Sequence, residues 1–405
     1  MRNFCLIIAL SFSQITYAGY DNLYSSDQIN EKLKIMIKHG ELKRDYIEVT
    51  DKYFFLYASS ADKVRKVHEY KIKLKANGDE SKQKARKERK SLSGLKIAID
   101  PGHFGGHLAS LEERKIRAVL PEGLPVEFNE GDLNLATGLQ LKKMLESKGA
   151  NVFITKKALG QGAYDLDWKT WRDGEGFLDA VEENISHITD PEQKDSARKL
   201  WFEETTENKI FRTLYNPLDL KARSEMLMDF GADLTFVIHY NAGSTRNKEE
   251  NKNILTKENY SMFFTGGSYL RGELSDEESR THFVRQLFSN SLEESKDLSV
   301  YVIKELIKRV GVNPVSEHND FPQVNYLRSV CVGHCDGVYA RNMQLTRAIP
   351  GVLCYTEPLL MDNELMAKEL GKTSYVVDGI ETSPLTKTLA EVYFAATLSF
   401  YKLQN

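Results

Sequence analysis

Four side chains along this sequence combine types that can do chemistry together. They are His103 in IDPGHFGG, Glu130 at the head of NEGDLNLATGLQLKKML, His239 at the end of DLTFVIH and Glu357 at the end of GVLCYTE. Two imidazoles and a carboxylate can bind Zn²⁺ and leave a position for water, and a second carboxylate can then serve as general base. That set describes metal-assisted hydrolysis. Each residue alone has an ordinary explanation, since a His beside a strand is commonly a hydrogen-bonded structural residue and a Glu at a helix start favours the macrodipole. What joins them is position, because open α/β sheets gather their sites at the carboxyl ends of strands. His107, His282 and His318 follow no strand and read as surface or structural residues.

The elements that must place these groups follow from periodicity. Leu95 to Ile99 is a short apolar run ended by Asp100-Pro101-Gly102, which reads as a buried strand and a sharp turn. Residues 130–148 carry Leu133, Leu135, Leu139, Leu141, Met144 and Leu145 at helical spacing, with Gly149 as the C-cap. Asn151 to Thr155 reads as the next strand. The pattern returns in a helix over 217–230, Gly231 and the strand Leu234 to Ile238, then in the strand Val352 to Tyr355 and a closing helix from Leu385 to Leu403. Strand, helix, strand with tight loops calls for parallel pairing and right-handed crossovers. The expected fold class is α/β: a twisted, mostly parallel β-sheet flanked by helices on both faces, with long inserted loops and helices, preceded by a small N-terminal region. The catalytic domain is expected over 93–405, with insertions at about 157–215 and 245–335.

With 405 residues, 41% hydrophobic and 28% charged, the chain can bury a sizeable core. A net charge of −3 argues against a general nucleic-acid binder. Arg2, the apolar run Phe4 to Phe12 and the small-residue end Thr16-Tyr17-Ala18 read as a cleavable secretory signal over residues 1–18, and no later segment is apolar and long enough to span a bilayer. Residues 19–92 read as an N-terminal region with a basic linker. Ile29 to Ile37 suggests a helix, and Tyr46 to Val49 and Tyr53 to Tyr57 suggest strands. From Lys63 to Lys90 there are twelve Lys or Arg against four Asp or Glu, which reads as a solvated helix or linker, or as a patch facing an anionic surface. Beyond the signal the cysteines are Cys331, Cys335 and Cys354, so at most one internal bridge can form, with Cys331 and Cys335 as the local candidates. His334 between them lacks the second half-site of a zinc finger.

From about Leu95 onward the sequence resembles the zinc-dependent N-acetylmuramoyl-L-alanine amidases of the type 3 amidase family, which cleave peptidoglycan between the muramic acid lactyl group and the stem peptide. IAIDPGH is similar to the family's strand with its first zinc histidine, here His103. EGDLNLA is similar to the segment with its zinc glutamate, here Glu130. ADLTFVIHYNA resembles the strand with its second zinc histidine, here His239, and PGVLCYTEPLLMDN resembles the strand with its catalytic glutamate, here Glu357, and an asparagine six residues on, here Asn363.

The resemblance implies one Zn²⁺ held by His103, Glu130 and His239, Glu357 as general base, peptidoglycan as substrate, and a periplasmic or secreted location. Should Glu357 not serve, Glu127 is the next candidate. Asp100, Asp132 and Asn241 are candidates to fix the histidine tautomers. Asn241, Arg341 and Arg347 are candidate substrate contacts. Two departures stand out: Phe104 replaces the glycine usual after the histidine, and Pro358-Leu359 replaces a glycine and an aromatic residue. The His103 to Glu130 spacing is also long. The insertion at 157–215 lies where some members carry a helix that blocks the site, so it reads as an autoinhibitory lid or the docking point of a protein activator. A groove wall offering Trp168 and Trp171 to substrate is the other reading. Rival functions are a zinc peptidase acting within the stem peptide and a non-catalytic cell-wall binding module.

Overall fold

The computed structural model describes residues 19–78, 89–243, 246–247 and 252–403. The chain divides into two compact units, Met1–Lys87 with Gly267–Asn290, and Glu88–Gly266 with Ser291–Asn405. The expected signal, residues 1–18, lies outside the described residues, as does the stretch 79–88 of the basic run.

The smaller unit begins with a helix, Ser26–Met36, whose start is fixed by a capping box between Ser25 and Gln28. Three antiparallel strands follow, with Tyr53–Leu56 between Ile47–Val49 and Tyr70–Lys73. Phe54, Leu56, Tyr70 and Ile72 are buried while Lys71 and Lys73 are exposed. Part of the basic run is therefore a half-buried strand rather than a solvated helix or linker, because its charges alternate with apolar residues at the period of a strand. The segment 267–290 belongs to the same unit. Ser268 donates its amide to the Ile35 carbonyl, and the Phe288 ring meets Phe54 edge-on at 5.3 Å.

The larger unit is built on seven strands: β1 (Lys96–Pro101), β2 (Asn151–Ile154), β3 (Leu234–Ile238), β4 (Met262–Thr265), β5 (Val332–Cys335), β6 (Val338–Ala340) and β7 (Val352–Glu357). They lie in the order β5-β6-β4-β7-β3-β1-β2, and the block β7-β3-β1-β2 is parallel throughout. β4 joins that block antiparallel, pairing Met262 with Glu357. This is the α/β sheet the sequence implies.

Its helices include α1 (Ala109–Glu112), α2 (Glu130–Ser147), α3 (Asn216–Phe230), α4 (Ser291–Val310) and α5 (Pro384–Phe400). Leu133, Leu141, Leu298, Val302, Leu389 and Tyr393 of α2, α4 and α5 pack with Ile97, Ile99, Phe236 and Ile238 of the sheet. Ala98, Val237 and Leu353 face the other way and meet Leu227 of α3. Alternate residues of one strand thus enter different cores, which is why β1 and β3 read as continuous apolar runs. Residues 245–335 are not an insertion throughout. They supply β4 and α4, and the short apolar run of β4 is hidden among polar neighbours in the sequence.

Candidate metal centre

Strands β7, β3 and β1 are neighbours in the sheet, so Glu357, His239 and His103 leave it side by side at its carboxyl edge. Glu130 comes to the same point from the first residue of α2, its amide tied to the Arg114 carbonyl at 3.1 Å. Oε1 of Glu130 lies 3.1 Å from Nε2 of His103 and 3.2 Å from Nδ1 of His239. Ligand atoms of these three residues lie within 4.8 Å of one another, and they form the one such group of His, Cys, Asp or Glu among the described residues. Two imidazole nitrogens and a carboxylate oxygen converging on one point fit Zn²⁺, which takes this donor set.

The backbone is shaped to allow the convergence. A Cβ on Gly102 would lie 2.3 Å from the His239 ring, so only a bare α-carbon lets that ring stand against β1. His103 has φ 59°, a left-handed conformation that costs a residue with a side chain about 1–3 kcal/mol. It is held there from both ends. Its Nδ1 lies 2.6 Å from Oε1 of Glu112, and its carbonyl accepts from Nζ of Lys156.

Burial and charge set these groups apart. Burial alone would lower His103, but the carboxylates of Glu112 and Glu130 hold it up at about 9. Burial pushes His239 down to about 4, against the hydrogen bond it makes to Glu130. Glu130 resists the upward push of its own burial and is kept well below the usual carboxylate range by the two histidines. Glu357 behaves in the opposite way, raised well above that range by burial and then by the charge of Glu130. Its Oε2 is shielded from solvent and has no hydrogen-bond partner among the described residues. A raised, unpartnered carboxyl beside a ligand cluster is suited to taking up a proton.

The acceptor on His103 is Glu112, which sequence reading misses. Of the expected candidates, Asp100 instead forms a buried ion pair with Arg223 and accepts from Thr155, and Asp132 accepts from the Gly106 amide at 2.7 Å and from Asn129 at 3.0 Å. Asn241 accepts from its neighbour's amide at 2.8 Å and donates to Sδ of Met262, the cross-strand partner of Glu357. Arg341 bonds Tyr326 and the Asn342 carbonyl, and its amide donates to Thr265, at the other end of β4 from Met262. Arg347 bonds Gln344 at 2.8 Å in its own helical turn. Asn363 caps the helix Glu364–Leu370 and ties down the carbonyls of residues 256–258. Glu127 pairs with Lys115 and Arg117 on a surface hairpin, and among the described residues no disulfide joins Cys331, Cys335 or Cys354, so the expected Cys331–Cys335 bridge is not formed.

Residues 157–215 form a helical subdomain with a core of its own, including Trp171, Phe177, Val181, Ile210, Phe211 and Tyr215. Trp171 is fully buried and stacks on Trp168 at 5.6 Å, so it is core and offers no face to a substrate. Phe104, the residue that departs from the family's glycine, belongs to the same core and meets the Phe211 ring edge-on at 5.0 Å.

Fold and cluster together define an α/β protein with a two-histidine, one-glutamate metal-type site at the carboxyl edge of its sheet. No family model matches the sequence, and no curated protein matches it. Solved structures similar to the chain include the CwlD amidase from Clostridioides difficile in complex with the GerS lipoprotein, at 16% identity and a TM-score of 0.39, covering 76% of this chain and 98% of that one. Another is the N-acetylmuramyl-L-alanine amidase Ami1 from Mycobacterium smegmatis, at 13% identity and 0.38, covering 78% and 100%. A third is the N-acetylmuramoyl-L-alanine amidase AmiC2 of Nostoc punctiforme, at 14% identity and 0.36, covering 76% and 99%.

Proposed function

We propose that the protein is a zinc-dependent N-acetylmuramoyl-L-alanine amidase, hydrolysing the amide between N-acetylmuramic acid and L-alanine in peptidoglycan. The observation that carries this reading is the convergence of His103, Glu130 and His239 beside the unpartnered carboxyl of Glu357. The four sequence motifs that resemble the family supply the substrate class. His103, Glu130 and His239 would hold the ion, which when bound supplies a Lewis acid that polarises a carbonyl and makes water acidic near neutral pH. Glu357, favoured in its ionised form by the positive charge of an ion beside it, would accept the proton of the attacking water at its carboxylate and return it to the leaving amine of L-alanine. Glu112 keeps Nδ1 of His103 protonated and its Nε2 free to ligate. Asn241, whose amide donates to Sδ of Met262, the cross-strand partner of Glu357, remains a candidate substrate contact, with Arg341 and Arg347 as further candidates for a stem-peptide carboxylate.

An enzyme of this kind meets its substrate outside the cytoplasmic membrane, in keeping with the export expected of residues 1–18. Among the described residues no helix is long and apolar enough to cross a membrane. Incubating purified sacculi with the protein, with and without a chelator, tests the reading. Stem peptides with a free L-alanine amino terminus, released only without chelator, are the expected product. Fragments cut within the stem peptide would make it a zinc peptidase instead, and no release at all would leave a binding module.

A further inference from the structure

The loop that follows His103 is fastened at more points than a surface loop requires, and two of the fastenings lead to the same carboxylate. Glu112 is buried on the one-turn helix α1, with Oε1 at 2.6 Å from Nδ1 of His103 and Oε2 accepting the Phe104 amide at 3.1 Å. Each oxygen has a separate donor to serve. The helix in turn rests on the subdomain 157–215. Asn208 donates to the Ser110 carbonyl at 2.8 Å, Arg212 pairs with Glu113, and the Gly160 amide donates to the Phe104 carbonyl at 2.9 Å. Leu108 and Phe104 are buried in that subdomain's core.

Resting on the metal-site reading above, we propose that Glu112 is the positioning residue of His103 and that the subdomain 157–215 is the brace that holds Glu112 in place. This differs from the lid expected of that segment. A lid is dispensable to the site beneath it, whereas a brace is part of how the site is assembled. The chemistry explains why a carboxylate is needed. The Phe104 amide and Nδ1–H of His103 both require an acceptor, and an amide side chain has a single oxygen. In Glu112→Gln the Phe104 amide competes for that oxygen, and the NH₂ group faces Nδ1. The ring then shifts to the tautomer with hydrogen on Nε2, which removes the lone pair that would ligate.

The test reads metal affinity rather than turnover. Full-length protein is stripped of metal and titrated with Zn²⁺ against a chromogenic chelator. Glu112→Gln, isosteric with the native residue, is expected to keep the native circular dichroism spectrum and to bind zinc about 10- to 100-fold more weakly, the range for losing a partner of a ligand histidine. In Asn208→Ala/Arg212→Ala, which leaves Glu112 itself intact, the amides of residues 109–114 are expected to exchange with solvent roughly tenfold faster, as befits one lost hydrogen bond and one exposed ion pair, and zinc affinity is expected to fall with them. Wild-type affinity in Glu112→Gln overturns the positioning role, and wild-type exchange and affinity in the double variant overturn the brace. A wild-type chain that takes up no zinc overturns the metal-site reading itself, so the two failures are told apart by the first titration.

Discussion

The ring of Tyr355 lies flat against that of His239, with centroids 4.6 Å apart and planes 7° from parallel. Tyr355 stands two residues before Glu357 on β7, so one strand carries both the carboxyl beside the cluster and the aromatic face that steadies one of its histidines. Such stacking contributes about 0.5–1.5 kcal/mol beyond burial. Tyr355→Phe should bind zinc like the wild type, and Tyr355→Ala roughly two- to tenfold more weakly in a chelator competition. Equal affinity in the alanine variant would mean that Glu130 alone orients the ring.

His239→Ala should purify without stoichiometric zinc and should not release peptide from sacculi, because two protein ligands remain where a catalytic zinc site takes three. Atomic absorption on the purified variant checks this. Full zinc content would remove His239 from the ligand set.

Glu357→Gln should keep its zinc and lose about 10² to 10⁴ in rate, the usual range for a positioned general base. The same variant has a stability signature. Because Glu357 is raised by burial and by Glu130, the folded chain keeps its proton to higher pH than the unfolded chain, whose Glu titrates near about 4.3. The stability this contributes is full below that value and is lost as pH rises through the folded pKa. Metal-free Glu357→Gln should therefore gain melting temperature over metal-free wild type as pH increases from 5 to 8. A constant difference across that range would show that the carboxyl is not held protonated.

Arg223→Met strands the Asp100 carboxylate in the core directly ahead of Pro101 and Gly102, and should cost about 3–5 kcal/mol in urea unfolding. Replacing both partners, as Asp100→Asn with Arg223→Met, should recover part of that loss, since Asp100 then carries no charge and only the buried Asp219, 3.9 Å from Arg223, still loses its partner. A double variant as unstable as the single one would place the cost in packing.

The parallel block and the residues that gather at its carboxyl edge were legible because they depend on short-range pattern. β1, β3 and β7 are apolar runs that end directly in Asp100-Pro101-Gly102-His103, in His239 and at Glu357, so strand and chemistry coincide in the chain. Glu112 was not legible. It sits in SLEERK, where an acidic residue among charged neighbours has no period to mark it, and its contact with His103 is made by a fold of the loop rather than by spacing. The polar setting of β4 hid a sheet strand in the same way. Trp171 read as part of a groove because an aromatic residue in a charged segment looks exposed until a second core is found to contain it, while Trp168 packs half-buried against that core.

Gly102 also limits how this protein can vary through descent. Any side chain at that position would begin inside the space of the His239 ring, at 2.3–2.6 Å from three of its atoms. Positions 102 and 239 are therefore not free to drift separately. A library randomised at 102 and selected for metal-loaded protein should return glycine alone. A paralogue with a side chain at 102 can be recognised, from that one residue, as a copy in which the imidazole opposite has moved or gone.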